Sequence, residues 1–168
     1  MLAEIARSLE AAGADFLVLC TNTMHKVAPA IEEAVAIPLL HIADVTAAAV
    51  VAAGYRCVGL LGTRFTMEQP FYRDRLAGRD DLKVVVPEPA DRELVNRVIF
   101  EELCTGRVLL PSREQFQRII DGLAAQGAEA IVLGCPELSL LLRPADTTVQ
   151  LFDTAALHAR SAAVRALK

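Results

Sequence analysis

A cysteine with reactive surroundings lies near the end of the chain, within the sequence LGCPEL (133–138). Gly134 permits a tight exit from the apolar run before it, and Pro136 suits the first position of a new helix. A thiol at a helix amino terminus has a lowered pKa, and the resulting thiolate acts as a base or a nucleophile. We therefore predict that Cys135 is a reactive group. The alternative is a small buried cysteine at a strand end.

A second polar cluster, CTNTMH (20–25), offers a thiol, hydroxyls, an amide and an imidazole after another apolar run. Asn22 and Thr23 can bind a carboxylate through their side chains and through backbone N–H groups at a helix start. Helix capping is the alternative for both residues. We expect His25, one turn into the helix, to make local contacts rather than to act as a catalyst.

A third apolar run leads into the sequence GLLGTRFT (59–66). Gly62 and Thr63 can form an anion-binding nest of backbone N–H groups, and Thr63 or Thr66 can cap the helix that follows. This segment also suits a carboxylate, and capping without a ligand is the alternative. Three apolar runs are thus each followed by residues that can hold or attack a small polar substrate.

The sequence lacks the signatures of metal and cofactor sites. The three histidines, His25, His41 and His158, do not have metal-ligand spacing, and Lys26 and Lys83 have no Schiff-base context. No GxGxxG fingerprint, P-loop, GxSxG elbow or HExxH motif occurs in the sequence. Dinucleotide binding, nucleoside triphosphate chemistry and the familiar serine and zinc hydrolases therefore lose support. We expect neither a cofactor nor a bound metal.

The composition fits a folded protein of one ordinary domain or two small lobes. The chain has 168 residues, of which 54% are hydrophobic and 23% charged, with a formal net charge of -4. Its basic residues are scattered, which disfavours nucleic acid as a partner. No apolar stretch approaches the ~20 residues of a membrane span, and the opening residues have no signal-peptide profile, so we expect a cytoplasmic protein. The four cysteines should be reduced, with Cys57 and Cys104 in the core.

Short apolar runs alternate with segments of helical periodicity along the chain. The predicted strands cover 14–20, 38–42, 57–62, 83–86, 129–134 and 148–152, and the predicted helices cover 2–12, 25–36, 44–53, 68–77, 92–104, 113–126 and 154–166. The predicted N-caps are Asp44, Asp91, Ser112 and Asp153. This alternation is typical of an α/β fold with a parallel sheet.

The chain also contains an internal repeat. Residues 13–21 (GADFLVLCT) align with residues 127–135 (GAEAIVLGC), and each segment follows an amphipathic helix that ends in glycine. In this alignment Thr21 occupies the position of Cys135. Open α/β sheets bind ligands at the carboxyl ends of their strands, where both residues are expected to lie. Chance similarity between two helix–strand units is the alternative.

At CTNTMH and LGCPEL, in this order and spacing, the chain resembles the aspartate/glutamate racemases, which are cofactor-independent amino-acid racemases. The resemblance runs over the whole sequence and implies a family chain without its N-terminal part. It implies an α/β fold of two pseudo-symmetric lobes, with mainly parallel sheets flanked by helices and the active cleft between the lobes. It further implies that two groups on opposite lobes exchange the α-proton of the substrate from opposite faces.

The resemblance assigns roles to individual residues. Cys135 and Thr21 are the implied catalytic pair, and the implied substrate-binding residues are Asn22, Thr23, Thr63 and Arg107. Asn22 and Thr23 would hold the α-carboxylate with the help of Thr63. Arg107 lies where relatives often place a basic residue near the distal carboxylate of the substrate.

Three features depart from the family pattern. Thr21 stands where family members usually carry cysteine, and a hydroxyl is a far poorer base; Cys20 points to the other side of the strand and is no simple substitute. Pro136 replaces a hydroxyl residue and removes a backbone N–H. The N-terminal strand and loop of the family, which contact substrate, are not in this sequence.

We predict that residues 1–44 and 146–168 build one lobe and residues 45–145 the other. The predicted activity is cofactor-independent racemisation of aspartate, glutamate or a related amino acid. The alternatives are a single-cysteine relative of the arylmalonate decarboxylase or maleate isomerase type, and an inactive chain that binds a dicarboxylate. The expected partner is a small amino acid or dicarboxylate, with neither nucleic acid nor membrane. The aliphatic composition and the habit of the family predict a homodimer.

Overall fold

The computed structural model describes residues 1–78 and 81–167, so residues 79, 80 and 168 of the predicted lobes lie outside the described residues. The helices are α1 (Leu2–Ala11), α2 (Ala28–Glu32), α3 (Ile42–Ala52), α4 (Arg64–Glu68), α5 (Pro70–Ala77), α6 (Pro89–Glu101), α7 (Leu110–Ala125), α8 (Leu138–Leu141) and α9 (Thr154–Ala166). The strands are β1 (Leu17–Val18), β2 (Leu39–Leu40), β3 (Cys57–Leu61), β4 (Lys83–Val85), β5 (Ala130–Leu133) and β6 (Gln150–Asp153). Every predicted strand is present in shortened or shifted form.

The strands form two parallel sheets. β1 pairs with β2, and the larger sheet has the order β4-β3-β5-β6. The predicted α/β fold with parallel sheets flanked by helices is confirmed. Because neighbouring strands run in the same direction, the segments that follow β3 and β5 leave the larger sheet at the same edge.

The larger sheet is buried on both faces. Ile131 and Leu133 of β5 point into a cluster that includes Phe116 of α7, whereas Val132 belongs to a cluster on the other face with Tyr72 of α5. Side chains alternate in direction along a strand, so a strand covered on both sides needs apolar residues at every position. This is why β3 and β5 appear in the sequence as unbroken apolar runs.

The smaller sheet has a separate and thinner core. Ala6 of α1, Leu17 of β1 and Ile31 of α2 form its buried cluster. Ile5 and Leu9 of α1 are about half exposed beside it. The two-stranded sheet therefore buries fewer side chains than the larger sheet.

β6 and α9 connect the two sheets. β6 pairs with β5, with Asp153 opposite Leu133, and so belongs to the larger sheet. α9 packs against α3, and His158 on α9 bonds to the carbonyl of Leu40 in β2. The division of the chain into lobes at residues 44 and 146 stays a prediction.

Several helix boundaries differ from the predicted ones. The predicted helix 25–36 is a 3-10 turn (Thr23–Val27) followed by the short α2, and the predicted helix 68–77 is preceded by the separate α4. Pro29 and Pro70 lie in the first turns of α2 and α5, where the fixed φ of proline is favourable and its missing N–H has no cost.

Only one of the four predicted N-caps has that role. Asp153 accepts hydrogen bonds from Ala155 and Ala156 at the start of α9, as predicted. The other three expectations are wrong, because α3, α6 and α7 begin two or three residues earlier than predicted. Asp44 and Asp91 lie in first helical turns and pair with arginines, and Ser112 donates to Glu102. None of the described helices is long and apolar enough to cross a membrane.

Candidate active site

A cleft of about 440 Å³ opens at the carboxyl ends of β1, β3 and β5. The segments after these strands line it together with part of α6 and the turn that follows α6: Cys20, Thr21, Asn22, Thr23, Met24, Thr63, Phe65, Ile99, Phe100, Cys104, Gly134, Cys135, Pro136 and Glu137. Five predicted site residues are among them, namely Cys135, Thr21, Asn22, Thr23 and Thr63. Residues from both sheets thus meet in one cleft.

Cys135 lines this cleft with a carboxylate as its partner. Its side chain is 8% exposed, and its Sγ donates to Glu137 Oε2 over 2.8 Å. Glu137 is half-buried and lines the same cleft. The arrangement can move a proton between sulfur and carboxylate.

The prediction of a lowered pKa at Cys135 is wrong. Burial raises the pKa of the Cys135 thiol, and the hydrogen bond to Glu137 and the negative charge of that carboxylate raise it further. The backbone N–H of Glu137 acts in the opposite direction, but its effect is smaller. α8 begins only at Leu138 and has four residues, so it gives the sulfur little of the dipole that a longer helix would supply. Cys135 is therefore held as a thiol.

Asn22 joins the first motif to the end of β5. Its Nδ2 donates to Thr154 Oγ1 over 3.1 Å, and Thr154 Oγ1 donates to the Leu133 carbonyl over 2.8 Å. The hydroxyl of Thr154 has one proton and donates it to the Leu133 carbonyl, so it can only accept a hydrogen bond from Asn22. This acceptor fixes the orientation of the Asn22 amide, with Nδ2 towards Thr154. Asn22 is 3% exposed, and its Oδ1 has no hydrogen-bond partner. A ligand N–H or O–H can satisfy this oxygen.

Three hydroxyls form a chain that leads from the cleft into the buried start of α4. Thr23 Oγ1 lies 3.2 Å from Thr63 Oγ1, which in turn lies 3.2 Å from Thr66 Oγ1. Thr63 also caps α4, as predicted, because its Oγ1 accepts from the Thr66 backbone N–H at 3.5 Å. Thr23 and Thr63 follow strands of different sheets, so their contact places two neutral hydroxyls side by side in the cleft.

The outer part of the cleft is mainly apolar. Phe65 and Phe100 line it and are about half exposed. Cys104, expected in the core, is exposed and lines the cleft as well, because it lies in the 3-10 turn that follows α6. Arg107 is exposed, and the residues that line the cleft in the described part of the chain do not include it. Its predicted contact with a distal carboxylate stays a prediction.

Sequence reasoning assigned no role to Glu137, although LGCPEL contains it. The signal was a carboxylate two residues after a candidate acid/base cysteine, a spacing at which a tight turn brings the side chains together. Metal ligation has no support from the geometry: within residues 1–78 and 81–167, no three His, Cys, Asp or Glu side chains form a metal-binding group.

This chain is similar to known racemases in sequence and in fold. It belongs to the Asp/Glu/Hydantoin racemase family, whose model matches residues 1–162. A crystal structure of a proposed Asp/Glu racemase from Yersinia pestis is 51% identical, with a TM-score of 0.95 over 99% of this chain and 73% of that chain. An aspartate racemase homologue from Pyrococcus horikoshii OT3 is 37% identical, with a TM-score of 0.90 over the same shares of both chains. The predicted two-lobe α/β fold is confirmed.

A curated relative gives the same family with lower identity. The broad specificity amino-acid racemase RacX of Bacillus subtilis (strain 168) is 26% identical over 161 residues, which are 93% of this chain and 66% of that protein. The chain therefore spans slightly less than two thirds of the length of this relative.

Proposed function

We propose that this chain carries the acid/base site of a cofactor-independent isomerase that acts on aspartate, glutamate or a related amino acid. The reaction is removal of the α-proton and its return from the opposite face. The observation that carries the proposal is the hydrogen-bonded pair of Cys135 and Glu137, which lies in the same cleft as Thr21. Family membership supports the class of reaction.

Glu137 supplies the step that a buried thiol cannot make alone. The Cys135 proton passes to the Glu137 carboxylate, and the thiolate that remains removes the α-proton from the substrate. The thiol is thereby restored. For inversion, the Thr21 hydroxyl protonates the carbanion from the opposite face and regains a proton from solvent, while Glu137 releases its proton to solvent. For exchange with retained configuration, Cys135 protonates the carbanion from its own face and recovers a proton from Glu137. Glu137 thus gives Cys135 access to thiolate even though burial opposes ionisation.

The hydroxyls of Thr23 and Thr63 are suited to the α-carboxylate. Removal of the α-proton moves negative charge onto this group, and fixed neutral donors stabilise that charge without neutralising a base. Their mutual distance of 3.2 Å lets both reach one carboxylate. Loss of either hydroxyl should raise KM and lower kcat.

Asn22 favours an amino acid over a substituted malonate as substrate. Its Nδ2 is engaged by Thr154, so the side chain offers an acceptor, Oδ1, rather than the amide donor that the resemblance assigns to a carboxylate. A substrate ammonium group supplies the N–H that this oxygen lacks, whereas a malonate has none. Carboxylate binding by Asn22 would then fall to its backbone N–H.

With Thr21 as the second group, proton transfer is expected to differ between the two faces of the substrate α-carbon. A threonine hydroxyl can give a proton to a carbanion, but it ionises too weakly to remove one readily. The enantiomer whose α-proton faces Cys135 should therefore exchange that proton with solvent and often receive it back from the same side. Exchange with retained configuration should be faster than inversion.

The test is α-proton exchange in deuterated buffer with each enantiomer of aspartate and glutamate, followed by NMR and chiral chromatography. We expect deuterium in one enantiomer of at least one acid, with exchange faster than inversion, and loss of both in Cys135→Ser. A Ser161→Ala variant, changed outside the cleft, is the control. Absence of exchange in all four substrates would contradict the proposal.

A single thiol also suits a decarboxylase or isomerase that protonates a planar intermediate from one face. The presence of a threonine at position 21, instead of a second cysteine, in the cleft that Cys135 lines favours this second candidate. It predicts carbon dioxide release from a disubstituted malonate, or isomerisation of maleate, with loss in Cys135→Ala. Thermal stabilisation by a dicarboxylate without any turnover would instead indicate a binding protein.

The proposal extends to the oligomeric state of the protein and to its location in the cell. We infer a cytoplasmic homodimer, in keeping with the aliphatic composition and the half-exposed Ile5 and Leu9 on α1. Sedimentation equilibrium at micromolar concentration tests the dimer. A monomer over the whole range would exclude it.

A further inference from the structure

The backbone of β1 does not by itself hold Thr21 in the cleft. The pairing of β1 with β2 ends at Val18, opposite Leu40, three residues before Thr21. The Thr21 N–H bonds to the carbonyl of Leu19, at 2.8 Å within the same segment, and among the described residues it has no bond to another strand. Some group outside this segment must therefore fix the peptide that carries the Thr21 side chain.

His25 holds the Thr21 carbonyl directly, and the hydrogen bonds of its ring define its protonation. Its Nδ1 lies 2.7 Å from the Thr21 carbonyl oxygen, and the backbone N–H of Ile42 donates to its Nε2 over 3.2 Å. An amide N–H can only donate, so Nε2 carries a lone pair and Nδ1 carries the proton. The ring is thus neutral and donates to Thr21. One side chain joins the end of β1 to the start of α3.

Two further histidines surround this ring. The centroid of the His25 ring lies 4.2 Å from that of His41, edge to face, and 6.0 Å from that of His158 on α9. All three are buried; Arg75 on α5 acts electrostatically on His25 and His41, and Asp44 on α3 acts on His41. A proton on Nε2 of His25 would break the hydrogen bond from Ile42. The Ile42 N–H therefore selects the tautomer whose Nδ1–H donates to the Thr21 carbonyl.

We propose that His25 is a positioning residue, which sets the Thr21 hydroxyl against the substrate by holding the Thr21 carbonyl through Nδ1–H. Its kinetic consequence rests on the proposed function. Thr21 takes part only in protonation from its own face, whereas exchange with retained configuration uses Cys135. A displaced Thr21 should therefore slow inversion and spare exchange, because an error of about 1 Å in a reacting group can cost ~100-fold in rate.

Two substitutions separate the hydrogen bonds of His25. The amide nitrogen of asparagine can occupy the position of Nδ1, so His25→Asn keeps a donor for Thr21 and loses the acceptor for Ile42. The amide oxygen of glutamine can occupy the position of Nε2, so His25→Gln keeps the acceptor and loses the donor. Each variant forfeits one hydrogen bond, and their urea midpoints should be lowered to a similar extent.

The measurement is the ratio of inversion to exchange at saturating substrate. We expect His25→Gln to lower this ratio about tenfold or more, and His25→Asn to leave it within about threefold of the unsubstituted protein. Equal ratios in both variants, or parallel loss of inversion and exchange, would show that His25 serves stability alone and would overturn the proposal.

Nuclear magnetic resonance gives a readout that does not need turnover. The ¹⁵N spectrum should show the proton of His25 on Nδ1, and the ¹³C shift of the Thr21 carbonyl should change in His25→Gln but not in His25→Asn. A proton on Nε2, or an unchanged shift in His25→Gln, would overturn the proposal even if racemisation is found. Absence of turnover with these NMR results would reject the racemase assignment and leave His25 as the anchor of Thr21.

Discussion

The thiol of Cys135 donates to the carboxylate of Glu137 over 2.8 Å. Sulfur is therefore the proton-bearing member of the pair, and oxygen is the acceptor. A carboxylate disfavours a neighbouring thiolate, since like charges repel, but through its hydrogen bond it can accept the thiol proton transiently. Glu137 consequently opposes resting thiolate and still provides the route by which a transient thiolate can form.

Replacement of Glu137 by glutamine should separate reactivity from catalysis. Loss of the negative charge lowers the pKa of Cys135 relative to the unsubstituted protein, because the hydrogen bond and charge of Glu137 both raise it. Alkylation of Cys135 by iodoacetamide at pH 8 should accelerate severalfold, whereas α-proton exchange should slow about 100-fold as the proton acceptor is lost.

Peptide mass spectrometry is needed to follow alkylation at Cys135 alone, because Cys20 and Cys104 are exposed and open to the reagent. Glu93→Gln on α6, outside the cleft, is the matched control and should change neither rate. Slower alkylation together with normal exchange in Glu137→Gln would contradict the role given to this carboxylate.

Replacement of Thr21 by cysteine should make the two faces of the site more equal. A thiol is a far better base than a hydroxyl, so inversion should rise about tenfold or more and approach the rate of exchange. Chiral chromatography and deuterium incorporation give the two rates. Thr21→Ser, which keeps a hydroxyl, should retain the excess of exchange over inversion. If Thr21→Cys inverts no faster than Thr21→Ser, Thr21 does not face the reacting carbon.

Gly134 is expected to tolerate no side chain. A Cβ at this position would lie 3.0 Å from the Leu61 carbonyl oxygen and 3.0 Å from Thr66 Cγ2. Gly134→Ala should therefore destabilise the fold by about 1–3 kcal/mol and displace Cys135, with loss of exchange. Gly122→Ala on α7, where nothing lies within 4 Å of a Cβ, should instead stabilise by about 0.5–1 kcal/mol. Urea unfolding of both variants tests these two expectations. Equal unfolding midpoints for Gly134→Ala and Gly122→Ala would contradict the close packing around Gly134.

The sequence predicted best those features that depend on a single strand or on residues adjacent in the chain. Unbroken apolar runs predicted β3 and β5 because a strand covered on both faces must be apolar throughout. The polar residues after these strands met in one cleft because parallel strands end at a common edge. Thr63 also caps α4 as predicted, since a cap depends on residues adjacent in the chain.

Features that depend on distant contacts could not be predicted in this way. The pKa of Cys135 was expected to fall, but burial by residues from several elements raises it. Cys104 was expected in the core, yet the turn after α6 brings it to the cleft. The hydrogen bond between Asn22 and Thr154 joins residues 132 positions apart, and no local sequence pattern predicts it.

Mild acid should destabilise the fold through the buried histidines. Burial lowers the pKa of His25 from 6.5 to about 4, and the hydrogen bond to the Thr21 carbonyl only partly offsets it. Burial, followed by the proximity of His25 and Arg75, lowers the pKa of His41 from 6.5 to about 3, with a partial offset from Asp44. Below pH 6.5 the unfolded chain takes up protons at these positions while the folded chain does not, so the free energy of unfolding decreases as pH falls. The slope approaches about 1.4 kcal/mol per pH unit for each histidine.

Urea unfolding between pH 7.5 and pH 5 measures this slope above the range where most carboxylates titrate. His41 caps α3 by accepting from the Ala43 N–H over 3.2 Å, and asparagine is a favoured residue at that position. His41→Asn should therefore keep the cap and remove one of the two titrations, so that the pH dependence falls to about half. If the free energy of unfolding stays constant from pH 7 to pH 5, His25 and His41 are not held neutral, and the tautomer that binds Thr21 is not enforced by their packing.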